Sequence, residues 1–569
     1  MCGIFGGIGV TVDEAGVALA AIRRGNDGIT VSAHGNVVLG SRRHLVKESN
    51  KPGVRPGESD QPYASDDGHV HLVFNGELYN FAVLREGLEQ NGQTFHTDGD
   101  TEVFLRLYEH HGKAFVENRD IDSLFALAIL DQKAGHLIIT RDWPGRVPLF
   151  YYYDRESRVF LFSSELKGLL ALGWVPLGDA VELTPGDRLV LDLDSFALEA
   201  EPYFRPTARK TESPLMEVGR DLHHLLTRSA NNRTMGDVPI CTMFSGGLDS
   251  LLTTYYVLGG IDFERVDYRP TGYVFAVEGH QSEDVRRAKE AAKGFRDIGF
   301  ELKEVRAPAE TVVADLPDIV TTFETREIKA LSVYPLPIYY YLAPCMRDDG
   351  FKVVIGGHGA DELLGAYDAW KELKASHKVQ INPKTRLRFM TAIHENMLRR
   401  ASIIFMNRGP LEARFPFLQV ELCEYALGID PRWLQLSTEN AEFLARLIED
   451  RAGPRGTWTE QLSGVHAYLG RYLDGGGTHP EEADGETVHE MEKLLWKLPM
   501  IVAGAHAAAE SFLPFHTLFN PKLRGQHGAG LTALEPMVMD RYGELGETDG
   551  DIFKAFVRRS FRLDSSAQA

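Results

Sequence analysis

Within the first 204 residues, apolar and polar positions alternate in short runs, a pattern that predicts β-strands. The runs read VVLGSRR, HVHLVFN, LFALAIL, HLIITRD and RVFLFSS, and Gly, Asp or Asn residues bound them. Residues 81–91 and 101–111 instead repeat apolar positions every three or four residues, which is typical of amphipathic helices. Residues 1–204 are therefore predicted to form a domain of mostly antiparallel strands with a few helices.

The pattern changes after residues 205–214, whose Pro, Thr, Lys and Ser content and missing apolar periodicity predict a linker. The runs VPICTMF, GYVFAVEG and FKVVIGG are apolar throughout, as strands buried on both faces of a sheet are, and helical patterns follow them. This alternation predicts a parallel sheet in residues 215–569, with its ligand site beyond the carboxyl ends of the strands. An acidic stretch, GTHPEEADGET, predicts an exposed insertion near residues 450–490.

Composition narrows the classes of function. The chain has 569 residues, 43% of them hydrophobic and 25% charged, which indicates a globular protein of more than one domain. Sixty-one Lys and Arg against 81 Asp and Glu give a net charge of -20, which repels nucleic acids and anionic membrane surfaces. No apolar run approaches the ~20 residues of a membrane span, and four scattered cysteines indicate a reducing compartment. We therefore expect a cytoplasmic protein with small-molecule substrates, and no nucleic-acid or membrane partner.

The loop after the first predicted parallel strand, Ser245-Gly246-Gly247-Leu248-Asp249-Ser250, has the features of a phosphate site. Its glycines let backbone amides approach an anion, and the start of the next helix favours negative charge. The loop lacks the lysine of a Walker sequence, and Asp249 offers Mg²⁺ a hard oxygen ligand. The string resembles the signature of the ATP pyrophosphatases, which cleave ATP between the α and β phosphates and adenylate a second substrate.

A second string, GGHGADE, ends and follows FKVVIGG and matches the second loop of that family. The match implies that Asp361 is the other Mg²⁺ ligand, beside Asp249. It also implies a set of ATP-binding residues, namely Phe244, Ser245, Gly246, Gly247, Asp249, Ser250, Val277, Gly356 and Gly357. ATP and Mg²⁺ are the cofactors that the resemblance predicts.

The amino terminus, MCGIFG, offers a nucleophile. If Met1 is removed, Cys2 carries both a thiol and a free α-amine, and an α-amine with a pKa of about 7.7 to 8.0 can act as a general base near neutrality. The start is similar to that of the class II glutamine amidotransferases, and the strings RRGNDG, RRHL, NGELYN and DGDTE of that family follow in order. This resemblance implies that Cys2 attacks glutamine.

The same family match assigns the glutamine-binding groups. It implies that Arg43 holds the α-carboxylate of glutamine, although Arg42 adjoins it. It implies further that Asn75 and Gly76 form the oxyanion hole. Glu77 and Asp100 would hold the α-ammonium group.

Taken together, the two halves resemble the glutamine-hydrolysing asparagine synthetase family, and the fragments SSELK, EAR and MEK support the likeness. The implied fold is α+β, an αββα sandwich of the Ntn-hydrolase type, followed by an α/β parallel-sheet ATP-pyrophosphatase domain. The implied activity is glutamine hydrolysis at Cys2, adenylation of a carboxylate, and amide formation with release of AMP and pyrophosphate. Lys493 matches the lysine that supports the phosphates in that family. An internal ammonia channel is expected, and the oligomeric state stays open, with a homodimer as one option.

Two departures from the family leave the acceptor open. His358 stands where asparagine synthetases have a glutamate, and residues 323–337 differ from their acceptor segment. His358 could act as a base, with Glu395 as an orienting partner, or could only fill space beside the phosphates. Three hypotheses follow: an amidotransferase acting on aspartate or another small carboxylic acid, a relative of β-lactam synthetase that uses an organic amine, and a non-enzymatic sensor of glutamine or nucleotide.

Overall fold

The computed structural model of the protein describes residues 1–46, 60–324, 333–366, 386–388, 390, 393, 398–455, 458–510, 513–520 and 525–560. In this part of the chain, two six-stranded antiparallel sheets precede a five-stranded parallel sheet. None of the helices described here has the length and apolar content that crossing a membrane requires.

The N-terminal part forms four layers. One sheet has the order β10-β8-β9-β1-β3-β2 and the other β12-β11-β7-β6-β5-β4. Their strands are β1 Gly3–Ile8, β2 Gly28–His34, β3 Val37–Arg43, β4 Tyr63–Ala64, β5 Val70–Leu78, β6 Ser123–Asp131, β7 His136–Arg141, β8 Phe150–Asp154, β9 Val159–Ser163, β10 Val181–Glu182, β11 Asp187–Asp192 and β12 Leu198–Pro202. The helices are α1 Val12–Ala21, α2 Phe81–Gln90, α3 Asp100–His111 and α4 Leu166–Leu170.

Apolar side chains on the inner faces of the two sheets form one core, which includes Ile4, Val37, Val73 and Leu124. Helices α1 and α4 cover the outer face of the first sheet, and α2 and α3 cover the second. Thr11 starts α1 with a capping box, because its side chain accepts from the backbone N–H of Glu14 and the Glu14 carboxylate accepts in return. The predicted αββα sandwich is confirmed.

All five strands of the C-terminal sheet run parallel, in the order β15-β14-β13-β16-β17. They are β13 Ile240–Met243, β14 Thr271–Val277, β15 Glu301–Ala307, β16 Val353–Ile355 and β17 Glu412–Arg414. Ile240 pairs with Val353 and Thr242 with Ile355, so the loops that follow β13 and β16 leave the sheet side by side. This confirms the predicted parallel sheet.

Helices α5 to α19 surround this sheet: α5 Leu215–Arg233, α6 Leu248–Gly259, α7 Glu283–Ala292, α8 Ala309–Phe323, α9 Leu336–Asp348, α10 Ala360–Leu364, α11 Arg399–Arg408, α12 Val420–Gly428, α13 Thr438–Arg451, α14 Glu460–Asp474, α15 Gly485–Trp496, α16 Leu498–Glu510, α17 Gly525–Gly528, α18 Glu535–Tyr542 and α19 Asp549–Ser560. Short 3₁₀ turns occupy Gly112–Glu117, Lys293–Ile298, Pro416–Leu418, Pro431–Leu434, Phe515–Phe519, Leu531–Leu534 and Gly543–Leu545.

Buried charged pairs join the N-terminal and C-terminal parts. Arg233 at the end of α5 donates through both terminal nitrogens to the carboxylate of Asp122, each at 2.7 Å. Arg24 donates to Glu165 at 2.8 Å and to Ser402 of α11 at 3.2 Å. Because breaking a buried pair leaves an uncompensated charge, these contacts fix how the two parts meet.

Candidate active site

Cys2 immediately precedes β1, an inner strand of its sheet, and is 8% exposed. Its Sγ accepts a hydrogen bond from the backbone N–H of His44 at 3.4 Å. Burial raises the pKa of the Cys2 thiol, while the positive chain terminus and Arg43 act in the opposite direction. The thiol is therefore protonated near neutrality and needs a base to become a nucleophile.

The structure gives the neighbouring arginines different environments. Arg42 donates from Nε to the Gly25 carbonyl at 2.7 Å, and its Nη1 reaches carbonyls at the end of α1, including that of Ala20 at 3.2 Å. Arg43 instead pairs with the exposed carboxylate of Asp60 and lies close enough to Cys2 to affect its pKa. Arg42 thus caps a helix, whereas Arg43 lies near Cys2.

Asn75 and Gly76 lie within β5, beside β1. The Nδ2 of Asn75 donates to Ser164 Oγ at 3.1 Å, and Ser164 Oγ also accepts from the Ile4 N–H at 2.9 Å. One Nδ2 hydrogen is thus committed to Ser164, and the amide group carries a second N–H donor. A Cβ at Gly76 would lie 2.0 Å from the Leu124 carbonyl oxygen, so the strand pairing at this position requires glycine.

Glu77 and Asp100 meet at the end of β5. Asp100 starts α3 and accepts from the Leu78 N–H at 2.9 Å. Burial raises the pKa of Glu77 well above its ordinary range, and the negative charges of Glu412 and Asp100 add to that effect. Clustered buried carboxylates of this kind favour a bound cation such as an ammonium group.

The chain terminus beside Cys2 reaches the C-terminal part. The α-ammonium of Met1 lies 2.9 Å from Glu412 Oε2 on β17, and both groups are almost fully buried. Arg414 donates to the other oxygen of Glu412 at 2.7 Å. Burial alone would raise the pKa of Glu412, but the Met1 ammonium and Arg414 lower it to about 2. Glu412 therefore keeps its negative charge beside the nucleophile.

The predicted phosphate loop joins β13 to α6. Gly246 has φ of +74°, and a Cβ there would lie 2.4 Å from the backbone N of Ala288, so only glycine fits. Ser245 and Ser250 hydrogen-bond each other through their hydroxyls at 3.0 Å. Gly247 precedes the first turn of α6, which directs the positive end of that helix at the loop.

The side chain of Phe244 lies in the hydrophobic core beneath the phosphate loop. Its side chain is fully buried and packs edge-on against Phe295 and Phe300, with ring centres 5.8 and 5.2 Å away. It therefore supports the loop from the core. Gly356 and Gly357 follow β16, and a Cβ at Gly357 would lie 2.9 Å from the backbone of Asp249, so the second glycine allows the two loops to touch.

Asp249 and Asp361 converge on Lys497. The Lys497 Nζ lies 2.6 and 2.5 Å from the two carboxylate oxygens of Asp249 and 2.7 Å from Asp361 Oδ1. Two carboxylates that share one buried ammonium form a binding site for positive charge, and carboxylate oxygens are the ligands that Mg²⁺ prefers. The residues present therefore fit a divalent cation at this position.

Lys497, which the sequence motifs did not indicate, occupies the position between the carboxylates, and Lys493, which they did indicate, lies nearby. Lys493 lies one helical turn earlier on α15, whereas Lys497 is the residue that ends the helix and is only 4% exposed. The spacing of four residues in MEKLLWK was the available signal, because it places both lysines on one side of the helix. The structure brings Lys497 between the two carboxylates.

Val277 ends β14 next to the nucleotide loop, but its backbone is engaged. Its N–H donates to the Ala529 carbonyl at 3.0 Å, and its own carbonyl accepts from Arg306 at 3.2 Å. Val277 is 3% exposed. The C-terminal segment around Ala529 thus covers this strand end, and Val277 forms part of the wall beneath it.

His358 hydrogen-bonds through Nε2 to the hydroxyl of Tyr339 at 2.8 Å and packs edge-on against Phe415, with ring centres 4.9 Å apart. Tyr339 lies on α9 and is 4% exposed. Nothing in the sequence connected these two residues, because they meet only through the fold. Glu395 and residues 325–332 of the acceptor segment lie outside the described residues.

Comparison with known proteins agrees with this layout. A family described as a glutamine amidotransferase domain matches residues 1–183, and one described as asparagine synthase matches residues 221–384. A glutamine-hydrolysing asparagine synthetase of Sandersonia aurantiaca is 28% identical over 474 residues, 80% of this chain and 84% of that protein. Asparagine synthetase B of Escherichia coli K12 is 28% identical over 447 residues, 76% of each chain.

Among solved structures, an allosteric regulatory enzyme of purine biosynthesis aligns with a TM-score of 0.31 and 16% identity, over 53% of this chain and 80% of that one. A class II glutamine aminotransferase domain protein from Silicibacter pomeroyi aligns with a TM-score of 0.23 and 14% identity, over 35% of this chain and 99% of that one.

With Cys2 in one part and the paired aspartates in the other, the fold and site define an amidotransferase sandwich joined to a parallel-sheet synthase domain. Residues 1–183 thus match the glutamine amidotransferase domain family and residues 221–384 the asparagine synthase family, and the relatives named above are glutamine-hydrolysing asparagine synthetases, which are carbon–nitrogen ligases. This confirms the resemblance on which the sequence motifs were interpreted.

Proposed function

We propose that the protein hydrolyses glutamine at Cys2, uses ATP to adenylate a carboxylate, and joins the released ammonia to it as an amide. The acceptor is aspartate or another small carboxylic acid. The main support is the position of the chain start: the α-ammonium of Met1, the residue before Cys2, lies against Glu412 of β17, and β17 pairs with β16, which leads into the helix that carries Asp361. The glutamine site and the nucleotide site are thereby linked through two adjacent strands.

In the first half-reaction, the Cys2 sulfur attacks the amide carbon of glutamine. Once Met1 is removed, the free α-amine of Cys2 accepts the thiol proton and returns it to the leaving nitrogen, so that ammonia departs and a thioester forms. Water then releases glutamate. Asn75 Nδ2 and the Gly76 N–H are the donors for the oxyanion, and Arg43 binds the substrate carboxylate.

In the second half-reaction, an oxygen of the acceptor carboxylate attacks the α-phosphorus of ATP and pyrophosphate leaves. The amides of residues 245–250 hold the phosphates, and Lys497 supplies positive charge beside them. Asp249 and Asp361 would hold Mg²⁺, which neutralises phosphate charge when bound. Ammonia attacks the acyl carbon, AMP leaves, and the nitrogen gives up one proton.

Met1 marks where the ammonia route begins. Its side chain is 1% exposed, and its Sδ lies 3.9 Å from Arg24 and 4.0 Å from Ser402 of α11. Removing Met1 vacates this buried seat, which Glu412 and Ser402 border from the C-terminal part. Ammonia that enters it is shielded from bulk water, where it would be protonated and lost.

The bond between Tyr339 and His358 supports a second candidate, in which the adenylated acid is condensed with an organic amine and His358 accepts the amine proton. Cys2→Ala separates the two: it abolishes glutamine-dependent product under the first proposal and changes little under the second.

All four cysteines are free, which supports a reducing compartment, and we propose the cytoplasm.

The assay combines purified protein, glutamine, ATP, Mg²⁺ and a panel of small carboxylic acids that includes aspartate. We expect AMP, pyrophosphate and glutamate to appear together, with one acid giving an amide that mass spectrometry identifies. If no acid yields AMP or pyrophosphate, the proposed synthetase activity is wrong.

A further inference from the structure

The nucleotide loop is also held from the C-terminal region, beyond residues 1–183 and 221–384 that the two families match. The side chain of Asn520 donates through Nδ2 to the carbonyl oxygen of Gly246 at 2.8 Å. Asn520 is 9% exposed and follows the 3₁₀ turn Phe515–Phe519. The hydrogen bond therefore connects residues 274 positions apart in the chain.

The geometry of a peptide bond gives this contact a consequence. The peptide is planar and trans, so the Gly246 carbonyl and the Gly247 N–H point in opposite directions. Holding the carbonyl against Asn520 directs the Gly247 N–H away from it. Rotation of this peptide would instead turn the carbonyl oxygen toward an anion, which it repels.

Glycine makes such a rotation accessible, since Gly246 already has φ of +74° and both sides of the peptide are glycines. One side of Gly246 is closed by the backbone of Arg287 and Ala288 in α7, which a Cβ would approach to 2.4 Å. Asn520 is the polar group that selects between the two orientations. We propose that Asn520 is a positioning residue of the nucleotide site, which holds the Gly247 N–H toward the phosphates of ATP; this rests on the proposed function.

The segment that carries Asn520 has anchors of its own. Phe519 is 1% exposed, and its carbonyl accepts from Gln461 Nε2 at 2.5 Å. Further along, Ser282 Oγ donates to the Gly528 carbonyl at 2.7 Å. Substitution of Asn520 therefore removes the bond to the loop without detaching the segment.

The test measures ATP binding by titration calorimetry in the presence of Mg²⁺, which requires no knowledge of the acceptor. Asn520→Asp keeps the size of the side chain but replaces the donor with an oxygen that repels the Gly246 carbonyl. We expect this variant to bind ATP about tenfold more weakly, because a buried hydrogen bond is lost. Asn520→Ala is expected to weaken ATP binding less, because a water molecule can partly replace the missing side chain.

Gln461→Ala is the matched control, because it loosens the same segment but does not touch the loop. Its affinity for ATP is expected to stay within twofold of the wild type, and all variants should keep glutamine hydrolysis and thermal unfolding close to normal. Equal affinity for ATP in the wild type and both Asn520 variants would overturn the proposed role of Asn520 but not the proposed function. A loss of ATP affinity in Gln461→Ala as large as that in the Asn520 variants would do the same. A wild type that binds no ATP would overturn the proposed function as well.

Discussion

Lys497 shows how a single charge organises the nucleotide site. Without its ammonium, the carboxylates of Asp249 and Asp361 would face each other with no positive group between them. Its position immediately after α15 holds the Nζ in place, because the residue is 4% exposed. The two loops are therefore held together before any nucleotide arrives.

We predict that Lys497→Ala lowers the rate of AMP formation by roughly a hundredfold or more, the loss that follows removal of a group that stabilises charge in a transition state. Lys493→Ala serves as the matched control on the same helix and is expected to change the rate only a few-fold. Pyrophosphate release measures both. A larger loss in Lys493→Ala would instead favour Lys493, the lysine that the sequence motifs assign to the phosphates.

Cys2 has a role that a single substitution isolates. We predict that Cys2→Ala abolishes glutamate release from glutamine and glutamine-dependent amide formation, because the sulfur that forms the thioester is gone. Ammonium chloride at high pH should still support amide formation, since the nucleotide site is unchanged. Parallel assays with the two nitrogen sources measure this. Loss of both activities would show that Cys2 also serves the synthetase reaction.

Asp284 gives a prediction on pH. Burial raises its pKa from 3.8 to about 7, with Arg287 opposing and Glu283 adding to the shift. The folded state thus holds a proton that the unfolded state has lost between pH 3.8 and 7, so stability falls as the pH rises through this window.

In the Asp284→Asn variant, the side chain at this position cannot ionise. The substitution should therefore raise the free energy of unfolding most at pH 8 and little at pH 4. Each unit of pKa shift is worth about 1.4 kcal/mol, so the gain is a few kcal/mol at most. Thermal unfolding at the two pH values measures it. An equal effect at both values would show that the carboxyl titrates normally in the folded protein.

Candidate site residues that belong to a short sequence motif were predicted from the sequence. Those that lie outside any motif were found only once the fold was known. Cys2, Asn75, Gly76 and the loop 245–250 lie in strings whose spacing is set by one strand or turn. Tyr339 and Asn520 are isolated side chains that reach the site from a distant helix and turn, so local spacing carried no signal for them, and for Lys497 the only local signal was its spacing of four residues from Lys493. Their positions depend on long-range packing.

At the scale of elements, the strands that the sequence predicted are the fully buried ones. β13, β14 and β16 read as continuous apolar runs because both their faces are covered. In β15 only Ala307 is buried and the other six residues are exposed or partly exposed, and β17 has three residues, two of them charged. Their hydrophobic pattern is too weak or too short to predict a strand.

The contact of β17 and α11 with the chain terminus leads to a prediction on coupling. Ser402→Met should fill the seat that Met1 vacates, so that glutamine is still hydrolysed but less ammonia reaches the acceptor. The ratio of glutamate to amide should rise at least several-fold, while synthesis from added ammonium salt stays normal. Quantifying both products measures the ratio.

Ser402→Ala is the control for that substitution, because it removes the hydroxyl without filling the seat. It should keep the ratio near that of the wild type. Overpacking of a core costs about 1 to 3 kcal/mol, so thermal unfolding is recorded alongside. An unchanged ratio in a stably folded Ser402→Met would place the ammonia route elsewhere.

At the scale of the whole molecule, a net charge of -20 argues against polyanionic partners but says little about how anionic substrates bind. We propose that local groups bind these substrates, namely Arg43 near Cys2, and Lys497 with the start of α6 at the nucleotide loop. Buried pairs such as Asp122 with Arg233 hold the two sites in one body. The domain boundary at residues 205–214 stays a prediction.

We propose that one chain both releases ammonia from glutamine and delivers it to a carboxylate that ATP has activated. The most direct measurement follows glutamine labelled with ¹⁵N at the amide through a reaction with ATP, Mg²⁺ and the acceptor acid, in the presence of excess unlabelled ammonium. We expect the amide product to carry mostly ¹⁵N and AMP to form in equal amount. Product carrying the isotope ratio of the bulk solution, or formation of ADP in place of AMP, would contradict it.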